Sequence, residues 1–123
     1  MATSTLFVFA FVMLFLATQG NCQCDAVSQF KFIQIPTGQK IQNKPEWNIT
    51  VTNDCLCTRD YIKLDCNGFQ TVEKVDPLKL VITGTEGLLN NGDVVRGYES
   101  VSFTYAWDSP FQFKVISSLI GCS

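Results

Sequence analysis

Apolar and polar positions alternate along most of this chain. Trp47, Ile49 and Val51 fall on one side of a two-residue period, with Glu46, Asn48, Thr50 and Thr52 on the other. Ile62, Leu64 and Cys66 alternate with Tyr61, Lys63 and Asp65 in the same way, and Leu78, Leu80 and Ile82 with Lys79, Val81 and Thr83. Val101, Phe103, Tyr105 and Trp107 alternate with Ser100, Ser102, Thr104 and Ala106. Phe111, Phe113 and Val115 alternate with Gln112, Lys114 and Ile116. Successive side chains of a strand point to opposite faces, so this period, carried by β-branched and aromatic residues, predicts half-buried strands. Residues 27–35 are strand-like too, but their alternation slips between Phe32 and Ile33, which predicts a bulge there.

Turn chemistry falls between the runs. Pro36-Thr37-Gly38 and Lys44-Pro45 bracket an expected long loop, and Asn67-Gly68, Asp76-Pro77, residues 84–87, Asn90-Asn91-Gly92 and Ser109-Pro110 mark further breaks. No sustained helical period occurs after residue 20. Short strands at this spacing predict an all-β fold: a small antiparallel β-sandwich of about seven strands, with a partly open barrel as the alternative closure. There is no internal repeat and no domain boundary, so residues 21–123 are expected to form one domain.

Composition changes this picture in one respect, the compartment. Residues 6–17 (LFVFAFVMLFLA) are an uncharged apolar run, short for a membrane span of roughly 20 residues. The run is followed by Thr18, Gln19 and Gly20, the layout of a signal peptide over residues 1–20. Export to the extracellular space is therefore expected, with no stable membrane insertion after cleavage. The formal net charge of −2 and the lack of any basic run exclude a nucleic-acid binder. Outside the cytosol cysteines oxidise. The six cysteines, Cys22, Cys24, Cys55, Cys57, Cys66 and Cys122, are therefore disulfide candidates. Metal binding is disfavoured, because the pairs are spaced C-x-C and histidine is absent. A bridge across a single intervening residue is strained, so Cys55 and Cys57 are expected to take different partners, as are Cys22 and Cys24.

Little here points to bond making or breaking. Without histidine the common nucleophile–base triads cannot be built. No aspartate has another two positions away, and no glycine-rich phosphate loop follows a strand. No catalytic residue, metal or cofactor is assigned. A carboxylate pair would be invisible in the sequence, and the acidic residues read as surface charge. The stripe Phe103, Tyr105 and Trp107 suits a core face better than a sugar-stacking platform. Asn48-Ile49-Thr50 is an N-glycosylation sequon on the polar side of its strand, making Asn48 a candidate acceptor.

An ordered set of segments carries a family likeness. Cys24 is followed by a strand and then by Asn53-Asp54-Cys55-Leu56-Cys57. Next come Cys66, Gly68-Phe69, Val75-Asp76-Pro77, Leu88-Leu89-Asn90-Asn91-Gly92, SFTYAWDSPFQF over residues 102–113, and Cys122. The chain resembles the plant tapetum determinant family of small secreted cysteine-rich proteins across nearly all of residues 21–123. The resemblance implies a non-enzymatic extracellular ligand, secreted to the apoplast, whose partner is the ectodomain of a leucine-rich-repeat receptor kinase that sets cell fate in the anther. Within that frame the loops at residues 39–44 and 90–96 combine turn residues with charge. They offer Lys40, Lys44, Asp93 and Arg96 as receptor-contact candidates. A cell-wall or carbohydrate-binding protein is the alternative, and it requires Tyr105 or Trp107 to be exposed. The chain departs from the family pattern at Gly87, where a cysteine is usual, and Cys22 is additional. The resemblance implies that Cys22 takes the partner a cysteine at position 87 would bridge.

Overall fold

The structure, a computed structural model, describes residues 24–122; the expected leader and Cys22 lie outside the described residues. Strands β1 (Phe30–Ile41), β2 (Lys44–Asn53) and β6 (Ser100–Ala106) form one antiparallel sheet in the order β1-β2-β6. Strands β4 (Leu80–Thr83), β5 (Glu86–Leu89), β3 (Thr58–Asp65) and β7 (Lys114–Gly121) form the second in that order. The seven strands are those of an antiparallel sandwich, as the alternation predicts. Ile49, Val51, Val101, Phe103 and Tyr105 of the first sheet face Ile62, Leu64, Leu80, Leu89 and Val115 of the second, all buried in one core.

Several boundaries differ from the expected ones. No bulge separates Phe32 from Ile33: Phe32 pairs with Val51 and Ile33 with Thr50 in continuous register. The slip in the pattern arises because Ile33 and Ile35 point outward, 47% and 55% exposed. Gln34 points inward, where its Nε2 donates to the Phe111 carbonyl at 2.6 Å. The expected loop between Pro36 and Pro45 is the far end of a long hairpin. Its register shifts between Pro36 and Lys40, and it closes at Gln42 and Asn43 with φ of 50° and 66°. Left-handed conformation at both central residues matches the right-handed twist of the flanking strands. The strand expected from Leu78 starts at Leu80, because the amides of Lys79 and Leu80 turn back onto the Asp76 carbonyl. Within the expected turn at residues 84–87, Gly84 makes the bend and Gly87 already belongs to β5.

Residues 107–113, expected to be partly strand, are irregular, yet Phe111 and Phe113 still enter the core. Pro110 has no amide to give to a ladder. The Phe111 amide donates to Tyr105 Oη at 2.9 Å, and Tyr105 Oη in turn donates to Gln34 Oε1. Side chains thus satisfy the backbone groups a strand would have paired. Phe69, Phe111 and Phe113 pack at centroid distances of 4.8–5.4 Å in edge-on or tilted geometry, with the Tyr105 ring 5.2 Å from Phe69. Tyr105→Phe keeps the ring and deletes this link. It is expected to cost about 1–2 kcal/mol, read in denaturant unfolding, and to speed amide exchange at Phe111 selectively.

Candidate interaction surface at the disulfide-bound end

Where β2 ends at Asn53 the chain leaves the first sheet, and residues 54–57 carry it across to β3 in the second. Both described disulfides fasten this crossover. Cys24 is bonded to Cys55 and Cys57 to Cys122, with Cα separations of 6.0 and 4.8 Å. These lie within the span a disulfide bridges. The Cys24, Cys55 and Cys57 sulfurs lie within 4.8 Å of one another, so the two bridges are adjacent. Sulfurs held in disulfides offer no thiolate, and a metal could use this cluster only after reduction.

Two buried polar side chains complete the corner. Asn53 Nδ2 is aimed at the carbonyls of Cys57, Val95 and Arg96, at 2.8, 3.1 and 3.1 Å. Arg59, fully buried, donates from Nη1 to the Ser28 carbonyl at 2.8 Å and lies 4.1 Å from the centre of the Phe30 ring. Among the described residues no carboxylate is bonded to it. Burial lowers its pKa, and the charge of Asp25 opposes that shift. The alternation did not place Arg59 inside because Tyr61, with φ of 47°, sits in a register shift between Asp60 and Lys63. Ahead of that shift Cys57 and Arg59 face inward, and after it Ile62 and Leu64 do.

On this rigid base several apolar side chains are left outside, among the exposed acids Asp25, Asp54 and Glu99. Leu56, between the two bridged cysteines, is 72% exposed, and Tyr98 is 62% exposed. Val27, Val94 and Leu119 are exposed at the same end, with Asp93 and Arg96 beside them. Tyr98 has φ of 64°, a conformation rare for a bulky residue, and it is fixed by its amide donating to the Asn53 carbonyl at 2.7 Å. Asp93 and Arg96 are contact candidates of the sequence; Leu56 and Tyr98, which the structure leaves exposed beside them, are not. The signal for Leu56 was its place inside C-x-C, where both neighbours are anchored.

Lys40 and Lys44 are at the opposite end. Lys44 begins β2 and Asn53 ends it, so the two candidate loops stand roughly 30 Å apart, the length of that strand. They do not form one surface. Lys44 Nζ is 2.8 Å from Asp108 Oδ1 and lies over the Trp107 ring at 4.9 Å, so its charge is used within the fold. Lys40 is exposed. The aromatic stripe is core: Phe103 and Tyr105 are buried, and Trp107 is half-buried, covered by Lys44. The exposed platform that carbohydrate binding needs is not formed there.

Cys66 lies at the far end of β3, buried, with no disulfide to any described residue. Burial pushes its pKa up to about 11, with the charge of Asp65 adding to the shift, which keeps the thiol protonated and inert. A Cβ built on Gly87 would stand 2.8 Å from Cys66 Sγ and 2.8 Å from Leu80 Cδ1. Position 87 therefore faces Cys66, which identifies the partner a cysteine there would take. The expectation that Cys22 takes this partner concerns a residue outside the described ones.

One carboxylate pair does form. Glu73 is half-buried, accepts from Thr104 Oγ1 at 2.7 Å and faces Glu46, which accepts from Thr37 Oγ1 at 2.8 Å. Burial raises the Glu73 pKa and the proximity of Glu46 raises it further, against the Thr104 hydrogen bond. The pair lies on an outer sheet face, where Glu73 also lines an open hollow between residues 71–77 and 80–82.

A protein-family model described as "Tapetum determinant 1, C-terminal" matches residues 26–123, which include the crossover, β1 to β7 and Cys122. No curated protein and no solved structure matches the chain.

Two outcomes follow from this geometry. Gly87→Cys is expected to form a third bridge with Cys66, adding about 3 kcal/mol by loop closure less the displacement of Leu80; the check is loss of the thiol reactivity that Cys66 shows on unfolding. Glu73 has a folded pKa above its unfolded one, so it favours the fold below the ordinary carboxyl range, and this contribution is lost as pH rises through the raised value. Glu73→Gln should therefore raise the Tm at neutral pH and lose that advantage near pH 3, measured by thermal melts across pH.

Proposed function

The chain belongs to the tapetum determinant family, and from that premise we propose that it is an extracellular, non-enzymatic signalling protein of plant reproductive development. It acts by binding the ectodomain of a leucine-rich-repeat receptor kinase. The observation that carries this reading is the family match over residues 26–123, nearly all of the described chain. A small sandwich fastened by disulfides suits a protein that works outside the cell by shape. Secretion follows from the leader-like residues 1–20, and no helix among the described residues is long and apolar enough to cross a membrane.

The contact surface we assign is the disulfide-bound end rather than the hairpin end. Binding energy concentrates in exposed aromatic and apolar anchors held rigidly before the partner arrives, because ordering them on binding costs affinity. Leu56 and Tyr98 are such anchors, fixed by two disulfides and by Asn53, with Arg96 and Asp93 at their margin. The left-handed backbone at Tyr98 costs roughly 1–2 kcal/mol that glycine would not. Its exposure at so strained a position supports Tyr98 as an anchor for a partner.

The test is capture of the purified protein by a panel of repeat-receptor ectodomains on a biosensor. One ectodomain should bind, and Tyr98→Gly should weaken that binding at least tenfold while leaving the Tm equal or higher. Arg96→Glu should weaken it too, and Lys40→Glu should not. The reverse pattern would move the surface to the hairpin end, and binding to none of the panel would overturn the receptor reading.

A further inference from the structure

We propose that Asn48 carries an N-linked glycan and that this glycan shields the outward face of the β1-β2-β6 sheet, which leaves the disulfide-bound end as the protein's open surface. The inference rests on the reading that the chain is exported, since glycan transfer occurs in the secretory lumen. Asn48 and Thr50, the two recognition residues of the sequon, both point outward from β2, the middle strand of the sheet. Asn48 is flanked across the strands by Ile35 of β1 and Thr104 of β6. Among the described residues no hydrogen bond holds its side-chain amide, while Ile49 beside it is fully buried. A glycan on that amide therefore projects into solvent without displacing any core contact.

The same face explains what the glycan does. Thr50 is bonded to Ser102 at 2.8 Å and Thr52 to Ser100 at 2.7 Å, a hydroxyl surface over β2 and β6. On β1 the outward residues after Lys31 are instead Ile33 and Ile35, about half exposed, and β1 is an edge strand with no neighbour among the described residues on its free side. An exposed apolar edge strand is a template for pairing with another chain. No charged side chain is set between the two isoleucines; Gln34, between them in sequence, points inward. Ile35 lies directly opposite Asn48, and Ile33 lies opposite Thr50. A hydrated sugar chain rooted at Asn48 covers both and blocks approach to that edge.

The experiment expresses the full chain in plant cells and recovers it from both medium and cells. A glycoamidase in heavy-oxygen water converts a glycosylated Asn48 to labelled aspartate, read by peptide mass spectrometry. Labelled Asn48 in secreted protein is the expected result. Secreted protein with unmodified Asn48 overturns the proposal while export stands; protein that stays in the cells without a glycan overturns both. Glycan on a cell-retained pool keeps the site and removes the export reading. For the shielding role, Asn48→Gln should self-associate at least tenfold more tightly than the wild type in sedimentation, and Ile33→Thr with Ile35→Thr should reverse this. Glycoamidase-treated wild type, folded before its glycan is removed, should behave like Asn48→Gln. If both remain as monomeric as the glycosylated protein, the shielding role is refuted.

Discussion

The short crossover from the first sheet to the second is the constraint on which the rest of this protein depends. Residues 54–57 join β2 to β3, and both described bridges end there, Cys24 on Cys55 and Cys122 on Cys57. The bridges span 31 and 65 positions of sequence, so loop closure assigns each roughly 3.5–4.5 kcal/mol. A small domain is stable by about 5–15 kcal/mol in all. Either bridge is thus a large share of the total, and the segments before β1 and after β7 are tied to one four-residue segment. Cys24–Cys55 ties the segment before β1 to the crossover, and Cys57–Cys122 ties the start of β3 to the end of β7, its neighbour in the second sheet.

That covalent anchor makes sense of the polar interior beside it. Burying a guanidinium without a bonded carboxylate is costly, and Arg59 recovers part of that cost through the Ser28 carbonyl, Gln29, the Phe30 ring and the charge of Asp25. Those partners belong to the segment that follows Cys24. The Cys24–Cys55 bridge places the segment, and Arg59 then fixes it against β3. Asn53 does the same for residues 95–99, which carry Arg96 and Tyr98. Sequence supplies the cysteines, the bridges place the backbone, and the buried polar groups orient the exposed side chains.

The period-two pattern made the strands and most of the core readable, because Ile49, Val51, Phe103 and Tyr105 obey it without exception. It failed wherever a side chain answered to something other than the sheet. Ile33 and Ile35 are apolar but outward, so the pattern showed a false slip. Phe111 and Phe113 are core residues on irregular backbone, because a tyrosine hydroxyl and a glutamine, distant in sequence, satisfy that backbone. Arg59 was hidden by the left-handed residue at Tyr61, which changes the facing of everything before it. Of the four charged contact candidates, Asp93 and Arg96 fall at the rigid end. The contacts of Lys44 with Asp108 and Trp107 were not readable because those partners are distant in sequence.

The two ends of the sandwich are held by different physics, and this accounts for the glycine at position 87. At the crossover end the interior contains Arg59 and Asn53, whose desolvation works against folding, and there the disulfides supply what packing does not. At the opposite end Phe69, Tyr105, Phe111 and Phe113 close edge-on around the core, and Leu80 fills the space over Gly87. Each such ring buries on the order of 150–250 Å², enough to hold that end by burial alone. A bridge to Cys66 would add stability there without being needed for the fold. A glycine at 87 therefore leaves the shape intact, while loss of the cysteine at 55 or 57 would release the crossover, the segment it anchors and the side chains they orient.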